Sequence, residues 1–178
     1  PAVGKLNSIQ FKNGFIERLW ELYPGWASSV GYHKYDSILV VPNMPYRMKE
    51  LEFSRFNRDS LYTFKPESLS PNNRTDYAMI DNALESMEWY IIKMMEWEWN
   101  PSWWNVGSTF GEMLNGTYAP LSERLRRMYE RMDNVKMYYD EGRQQIRNPT
   151  LEHTRLGIEQ NEGSAGIFET DFPDSVRV

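Results

Sequence analysis

Cysteine is absent from the 178 residues of this chain. Its absence excludes disulfide bonds, thiol nucleophiles and cysteine-based zinc sites together, although it does not identify a cellular compartment. The sequence also lacks an apolar run near the 18 or so residues that a membrane-spanning helix needs, so no transmembrane segment is predicted. A net charge of −5 and the lack of a long basic run argue against nucleic acid as a general partner.

The motifs of common catalytic and metal sites are missing as well. The two histidines, His33 and His153, do not form an H-E-x-x-H pattern. His33 and Asp36 have a spacing that would supply two metal ligands, with a third from His153 or Glu152, but this spacing is common and favours a loop histidine beside a capping aspartate. No G-x-S-x-G or phosphate-binding loop is present. The sequence therefore predicts no catalytic residue, metal ligand or cofactor within this chain.

What the sequence does contain is helical periodicity. A hydrophobic content of 40% and a charged content of 25% are typical of a globular domain. Apolar residues at steps of three and four, bounded by proline, glycine and asparagine, predict helices over about residues 7–22, 45–64, 72–99, 120–148 and 150–161 or 150–168. Residues 103–116 are predicted to form a connection or a short helix. The run SILVV is the single weak strand signal. These patterns predict an all-α fold, an irregular bundle of about five or six helices in one domain spanning residues 1–178.

Two of the predicted helices carry long apolar stripes. The helix over 72–99 places Met87 on its stripe, and the helix over 120–148 places Leu125 and Gly142 on a second stripe. We expect these two long helices to pack antiparallel and to form the spine of the bundle.

Five of the seven tryptophans lie within Met87–Trp104, MEWYIIKMMEWEWNPSWW. Trp89 and Trp97 fall off the main stripe, and a central helix with a second neighbouring helix would bury both. The other three border the helix end at residues 100–101, and they are Trp99, Trp103 and Trp104. Exposed aromatic patches mark binding sites, so these three are a candidate platform for a peptide or glycan in a free-standing binding module.

Arginines crowd the start of the helix over 120–148. They are Arg124, Arg126, Arg127 and Arg131, interleaved with Glu123 and Glu130. Pairs between these charges on the solvated face of the helix are one interpretation. The other is a site for an anionic ligand or for a carboxylate of another domain.

The order of segments along the chain is distinctive. In sequence it runs YPGWASSVGYHKYDSIL, MKELEFSRFNRDSL, NNRTDYAMIDNALE, NPSWW, LSERLRRMYERMDNVKMYYDEGRQQI, NPTLEHTRLGIEQNEG and AGIFETDFPDSV. This order resembles the amino-terminal portion of the bacterial family called domain of unknown function 885. The resemblance covers nearly the whole chain, and its force comes from order and spacing. Gly31, Asp36, Arg124 and Leu125 match the family pattern best.

The resemblance implies a fragment of a longer protein. Members of that family are similar to helical zinc metallopeptidases, with an H-E-x-x-H-type helix in the carboxy-terminal half, and many are exported, periplasmic or lipid-anchored. This chain would then be a non-catalytic lid or cleft wall of a metallopeptidase-like hydrolase. Zinc would be held by the missing carboxy-terminal catalytic domain, which is the implied partner, and a peptide is the implied substrate. Asp36 and Arg124 would be structural residues with a cleft-facing role.

Overall fold

The computed structural model describes residues 8–177, and every regular element among them is helical. The α-helices are α1 (Ser8–Leu22), α2 (Pro24–Ser29), α3 (Met44–Leu61), α4 (Pro71–Trp89), α5 (Glu96–Trp99), α6 (Gly107–Asn115), α7 (Leu121–Met132), α8 (Val135–Gln145), α9 (Leu151–Gly166) and α10 (Phe172–Val176). The all-α prediction is confirmed, and the SILVV run is not a strand. The predicted start of the first helix at Asn7 lies outside the described residues.

The helices group into two compact units. The first unit comprises residues up to 22 together with Asn43–Met95, and the second comprises Tyr23–Pro42 together with the residues from Glu96 onward. Within residues 8–177, no helix has both the length and the apolar character that crossing a membrane requires.

In the first unit, capping side chains fix where α3 and α4 begin. The side chain of Asn43 accepts a hydrogen bond from the Tyr46 backbone N–H at 2.9 Å, as its position before Pro45 predicted. Ser70 accepts in the same way from the Asn73 N–H. Each cap satisfies a backbone donor that the first helical turn leaves unpaired.

The helices α3 and α4 form the long antiparallel pair of the first unit. The Ser54 hydroxyl donates to the Leu84 carbonyl oxygen at 2.8 Å, and the Tyr62 hydroxyl donates to Asp81 Oδ1 at 2.8 Å. The helix pairing therefore differs from the predicted spine, because α4 pairs with α3 whereas α7 and α8 belong to the second unit.

Leu84 is the fully buried residue of α4, and Met79 on the same helix is 66% exposed. We expect Leu84→Ala to lower the free energy of unfolding by about 2–3 kcal/mol, because it removes packed methyl groups and leaves a cavity. Met79→Ala should change it by less than about 0.5 kcal/mol. Urea denaturation followed by circular dichroism measures both variants. Equal losses would show that α4 is not packed along the Leu84 face.

The predicted helix over 72–99 does not run through. It passes from α4 into a π-helical turn, Tyr90–Met94, and ends at Met95, whose left-handed φ of 43° breaks the helix before α5. The prediction of burial is correct for Trp97, which is 7% exposed, and wrong for Trp89, which is 50% exposed. Met87, on the predicted stripe, is only half-buried.

The predicted helix over 120–148 is also divided. It breaks at residues 133–134 into α7 and α8, and Leu125 on its stripe is half-buried. The fully buried side chain of α7 is Met128, which lies in the core of the second unit with Phe110 and Met113 of α6. The second unit also carries the candidate site residues that were predicted from the sequence.

Candidate functional site

The predicted site residue Asp36 is completely buried in the second unit. Its Oδ1 accepts a hydrogen bond from the Ser28 hydroxyl at 2.6 Å, and its Oδ2 accepts one from the Tyr118 hydroxyl at 2.6 Å. Nδ1 of His33 lies 3.1 Å from Oδ2, and Nη1 of Arg127 lies 3.7 Å from it. Asp36 therefore joins three separate stretches of chain, and we call these five residues the Asp36 cluster.

A buried arginine lies against the Asp36 cluster. Arg131 is 2% exposed, and its Nη1 donates to the Asp36 backbone carbonyl oxygen at 3.2 Å. Its guanidinium carbon is 5.8 Å from the centre of the Phe110 ring. Burial lowers the pKa of Arg131, and the nearby charge of Asp36 opposes that change. The core of this unit therefore buries an arginine and an aspartate close together, so it is partly ionic.

The turn that presents His33 is fixed by backbone and ring contacts. Gly31 adopts a φ of +86°, a conformation that side chains disfavour, so glycine suits this position after α2. The His33 ring stacks on the Tyr118 ring with centroids 3.4 Å apart and planes 3° apart. Both rings border a pocket of about 400 Å³ that Glu112 also lines.

The structure does not assemble the candidate metal ligands. Both carboxylate oxygens of Asp36 already accept hydrogen bonds from hydroxyl groups. His153 instead packs edge-on against Trp99, with ring centroids 5.2 Å apart, and its Nδ1 lies 2.6 Å from the Thr150 hydroxyl. Within residues 8–177, no three histidine, aspartate or glutamate side chains converge as a metal site would require. The hydrogen bonds of Asp36 support its interpretation as a loop-fixing aspartate.

Tyr118 gives the Asp36 cluster a pH dependence. Burial and the hydrogen bond to Asp36 raise its pKa above the ordinary value near 10. The folded state then holds the phenol proton more tightly than the unfolded state, so stability from this group is complete below pH 10 and is lost as the pH rises above it. We expect the stability difference between the native protein and Tyr118→Phe to shrink as the pH is raised from about 9 to 11. Urea denaturation at these pH values measures the stability difference. A difference that stayed constant would contradict the hydrogen bond between Tyr118 and Asp36.

Arg124, the second site residue named by the family pattern, serves as a helix cap in the structure. It is 8% exposed. Its Nη1 donates to the carbonyl oxygens of Met113 and Leu114 in the last turn of α6, and its Nε donates to that of Ala119. A cation at the carboxyl end of a helix satisfies unpaired carbonyl groups and opposes the helix dipole.

The arginines of α7 divide between two environments. The predicted intrahelical pairs are present, since Arg126 contacts Glu130 and Arg127 Nη2 lies 2.6 Å from Glu123 Oε1. The expectation that all the charges of this helix face solvent is wrong for Arg124 and Arg131, which occupy the buried face beside Met128. The 3–4 spacing of 124, 128 and 131 was the available signal, but periodicity counts an arginine as polar and therefore misses it.

The three tryptophans of the candidate platform do not share a plane. Trp104 is 3% exposed, and its Nε1 donates to the Trp97 carbonyl oxygen at 3.0 Å. Its ring meets that of Trp103 at 75°, and Trp99 and Trp103 are both half-buried. Flat stacking of a sugar on a pair of coplanar rings is therefore not available from Trp103 and Trp104.

Trp104 instead borders an elongated pocket of about 590 Å³ between α8 and α9, which we call the α8–α9 groove. Two glycines let the surrounding chain approach closely. A Cβ at Gly142 would lie 2.6 Å from the Trp104 indole, and a Cβ at Gly157 would lie 3.0 Å from the Pro101 backbone. Sequence analysis placed Gly142 correctly on the buried face of its helix but did not identify the groove.

This chain is similar to a known protein family and to a solved structure. The family described as "Bacterial protein of unknown function (DUF885)" has a sequence model that matches residues 24–177. A solved structure, described as a putative lipoprotein of unknown function from Shewanella oneidensis, is similar to this chain with a TM-score of 0.93 and 40% sequence identity over 96% of this chain. This chain covers 31% of that one, so it spans about a third of its length. No curated protein matches the sequence.

Proposed function

Because the chain belongs to the bacterial DUF885 family, we propose that it is the non-catalytic helical part of a longer metallopeptidase-like hydrolase and forms a wall or lid of the substrate cleft. The partner in this proposal is the carboxy-terminal catalytic domain of the same protein, and the substrate is a peptide. The length of the similar Shewanella chain, of which this chain covers 31%, supports a larger protein. Its description as a lipoprotein supports an exported or lipid-anchored one.

The α8–α9 groove is the observation that carries this proposal. It is open, it is bordered by apolar side chains, and α9 carries further exposed apolar residues beside it. Ile158, which borders the groove, is 53% exposed, and Leu151 is 58% exposed. Contiguous apolar surface of this kind is typically covered by another domain or by a ligand. A helical part that packs against a catalytic domain needs such a surface, whereas a catalytic centre needs convergent polar groups.

Zinc does not fit the residues that this chain contributes. The oxygens of Asp36 are occupied by the Ser28 and Tyr118 hydroxyl groups, and His33 has no second or third protein ligand within the described residues. The proposal therefore assigns zinc to the carboxy-terminal part of the longer protein. This chain contributes shape and apolar contact area instead of chemistry.

The first experiment is to read the gene beyond the Val178 codon and to assay both products. We expect the reading frame to continue for a few hundred residues and to encode an H-E-x-x-H helix. The longer protein should cleave peptides, a chelator should abolish cleavage, and the 178-residue chain alone should show none. A stop codon after Val178 would favour the free-standing peptide-binding module. Chelator-sensitive cleavage by the isolated chain would show that the catalytic site lies here.

A further inference from the structure

The α8–α9 groove is long enough to hold several turns of a helix. Its border on α9 and the following turn extends from Thr154 to Glu169. That is about four turns, or roughly 22 Å at 1.5 Å per residue. The Tyr139 hydroxyl on α8 donates to Asn161 Oδ1 on α9 at 2.7 Å, and the short connection over 146–150 makes the two helices antiparallel. A long groove between two helices is the shape into which a third helix packs.

The polar side chains along the groove bond to groups of their own unit. The Asn161 amide donates to the Gly157 carbonyl oxygen at 2.8 Å, and its Oδ1 accepts from Tyr139. The Thr154 and Ser164 hydroxyl groups donate to the backbone carbonyl oxygens of Thr150 and Gln160, each one turn earlier in the chain. An occupant therefore meets mainly hydrocarbon and aromatic surface along the groove, so it needs an apolar face.

Two charged side chains at the groove are available to form ion pairs with an occupant. Arg143 on α8 and Glu169 in the π-helical turn after α9 both border the groove and are exposed. Within the part of the chain that the structure describes, neither side chain forms an ion pair or a side-chain hydrogen bond. The Tyr139–Asn161 bond places Arg143 near the level of Gly157, about 12 residues or 18 Å along α9 from Glu169.

We propose that the α8–α9 groove binds an amphipathic helix of the same longer protein, with an acidic side chain in its first turn and a basic side chain in its last. This proposal rests on the proposed function. The acidic residue faces Arg143 and the basic residue faces Glu169, so the helix runs parallel to α9. This charge order also suits the dipole of the bound helix, because acids are favoured at its amino end and bases at its carboxyl end. The groove would thus select both the partner and its direction.

Two synthetic peptides of about 15 residues test this proposal on the 178-residue chain. Both carry the same apolar stripe at i, i+3, i+4 and i+7. One has aspartate in its first turn and lysine in its last, and the other has these charges exchanged. Fluorescence anisotropy of labelled peptide gives each dissociation constant. We expect the first peptide to bind about three- to tenfold more tightly, with the preference reduced at high salt.

Matched single-residue variants test whether the peptides bind in the α8–α9 groove. Ile158→Glu should weaken both peptides by about tenfold or more, because it places a charge against the apolar stripe. Leu156→Glu is the control, since Leu156 is 42% exposed on the same helix but does not border the groove. Arg143→Glu should abolish or reverse the preference between the peptides. Circular dichroism confirms that each variant is folded.

Three outcomes would overturn the proposal. They are equal affinity for the two peptides, no saturable binding to folded protein, and a dimer that Ile158→Glu abolishes while Leu156→Glu preserves it. The last would assign the groove to a second copy of the chain. Because these measurements involve no hydrolysis, their failure is distinguishable from a failure of the cleft-wall proposal, which the gene and the peptidase assay decide.

Discussion

Asp36→Ala is expected to lower the free energy of unfolding by about 3–5 kcal/mol, because it removes one partner of a buried ionic group and leaves the other in place. Asp36 is fully buried, its Oδ2 lies 3.7 Å from Nη1 of Arg127, and the buried Arg131 lies beside it. The substitution would also leave the Ser28 and Tyr118 hydroxyl groups without the acceptor that each now contacts at 2.6 Å. Urea denaturation followed by tryptophan fluorescence measures the loss.

Two further variants separate charge from hydrogen bonding at this position. Asp36→Asn keeps an acceptor oxygen but not the charge, so it should fall between the native protein and Asp36→Ala. Asp140→Ala removes an exposed carboxylate paired with Lys136 and should cost less than about 0.5 kcal/mol. If Asp36→Ala cost no more than Asp140→Ala, the Asp36 cluster would not stabilise the second unit.

The helical class and most helix boundaries were predictable from the sequence because they depend on local signals. Asn43 before α3, Pro45 in the first turn of α3, and Pro101 after α5 act within a few residues of the boundary that they set. The break at Met95 was not predictable. The apolar stripe continues in register up to Met94, so periodicity cannot report the π-helical turn or the left-handed residue that follows it.

The sequence allowed the candidate site residues to be named, but it did not allow their arrangement in space to be predicted. Asp36, Arg124 and Trp104 were all named from the sequence, yet each is buried instead of presented at a surface. Asp36 and Tyr118 are 82 residues apart in the chain, and no local pattern indicates that their side chains meet. A buried arginine such as Arg124 is equally invisible, because its burial depends on carbonyl groups at the end of another helix.

Sequence periodicity missed the α8–α9 groove for a related reason. A groove is defined by the space between elements, and the residues that create it here are small ones on two different helices. Gly142 and Gly157 each allow close approach of another segment, and their positions carry no signal of what approaches them. The exposed apolar residues of α9 were the indirect signal, since an unpaired apolar face implies something that covers it.

Trp104→Ala should cause a large loss of stability and should also weaken peptide binding at the α8–α9 groove. Trp104 is 3% exposed, packs edge-on against Tyr138 with centroids 5.3 Å apart, and occupies the space beside Gly142. Removing a buried indole should lower the free energy of unfolding by about 3–5 kcal/mol. Trp26→Ala is the control, because Trp26 is 51% exposed in the same unit and should cost about 1 kcal/mol or less.

The peptide-binding assay gives this variant a second readout. Trp104 borders the groove, so its removal should weaken the charge-matched peptide even at temperatures where the variant is folded by circular dichroism. Trp26→Ala should bind it with native affinity. If Trp104→Ala lost stability but bound the peptide normally, Trp104 would belong to the core alone, and the occupant would contact only the α8 and α9 side chains above it. Loss of both properties would show that one indole supports the core of the second unit and also forms part of its binding surface.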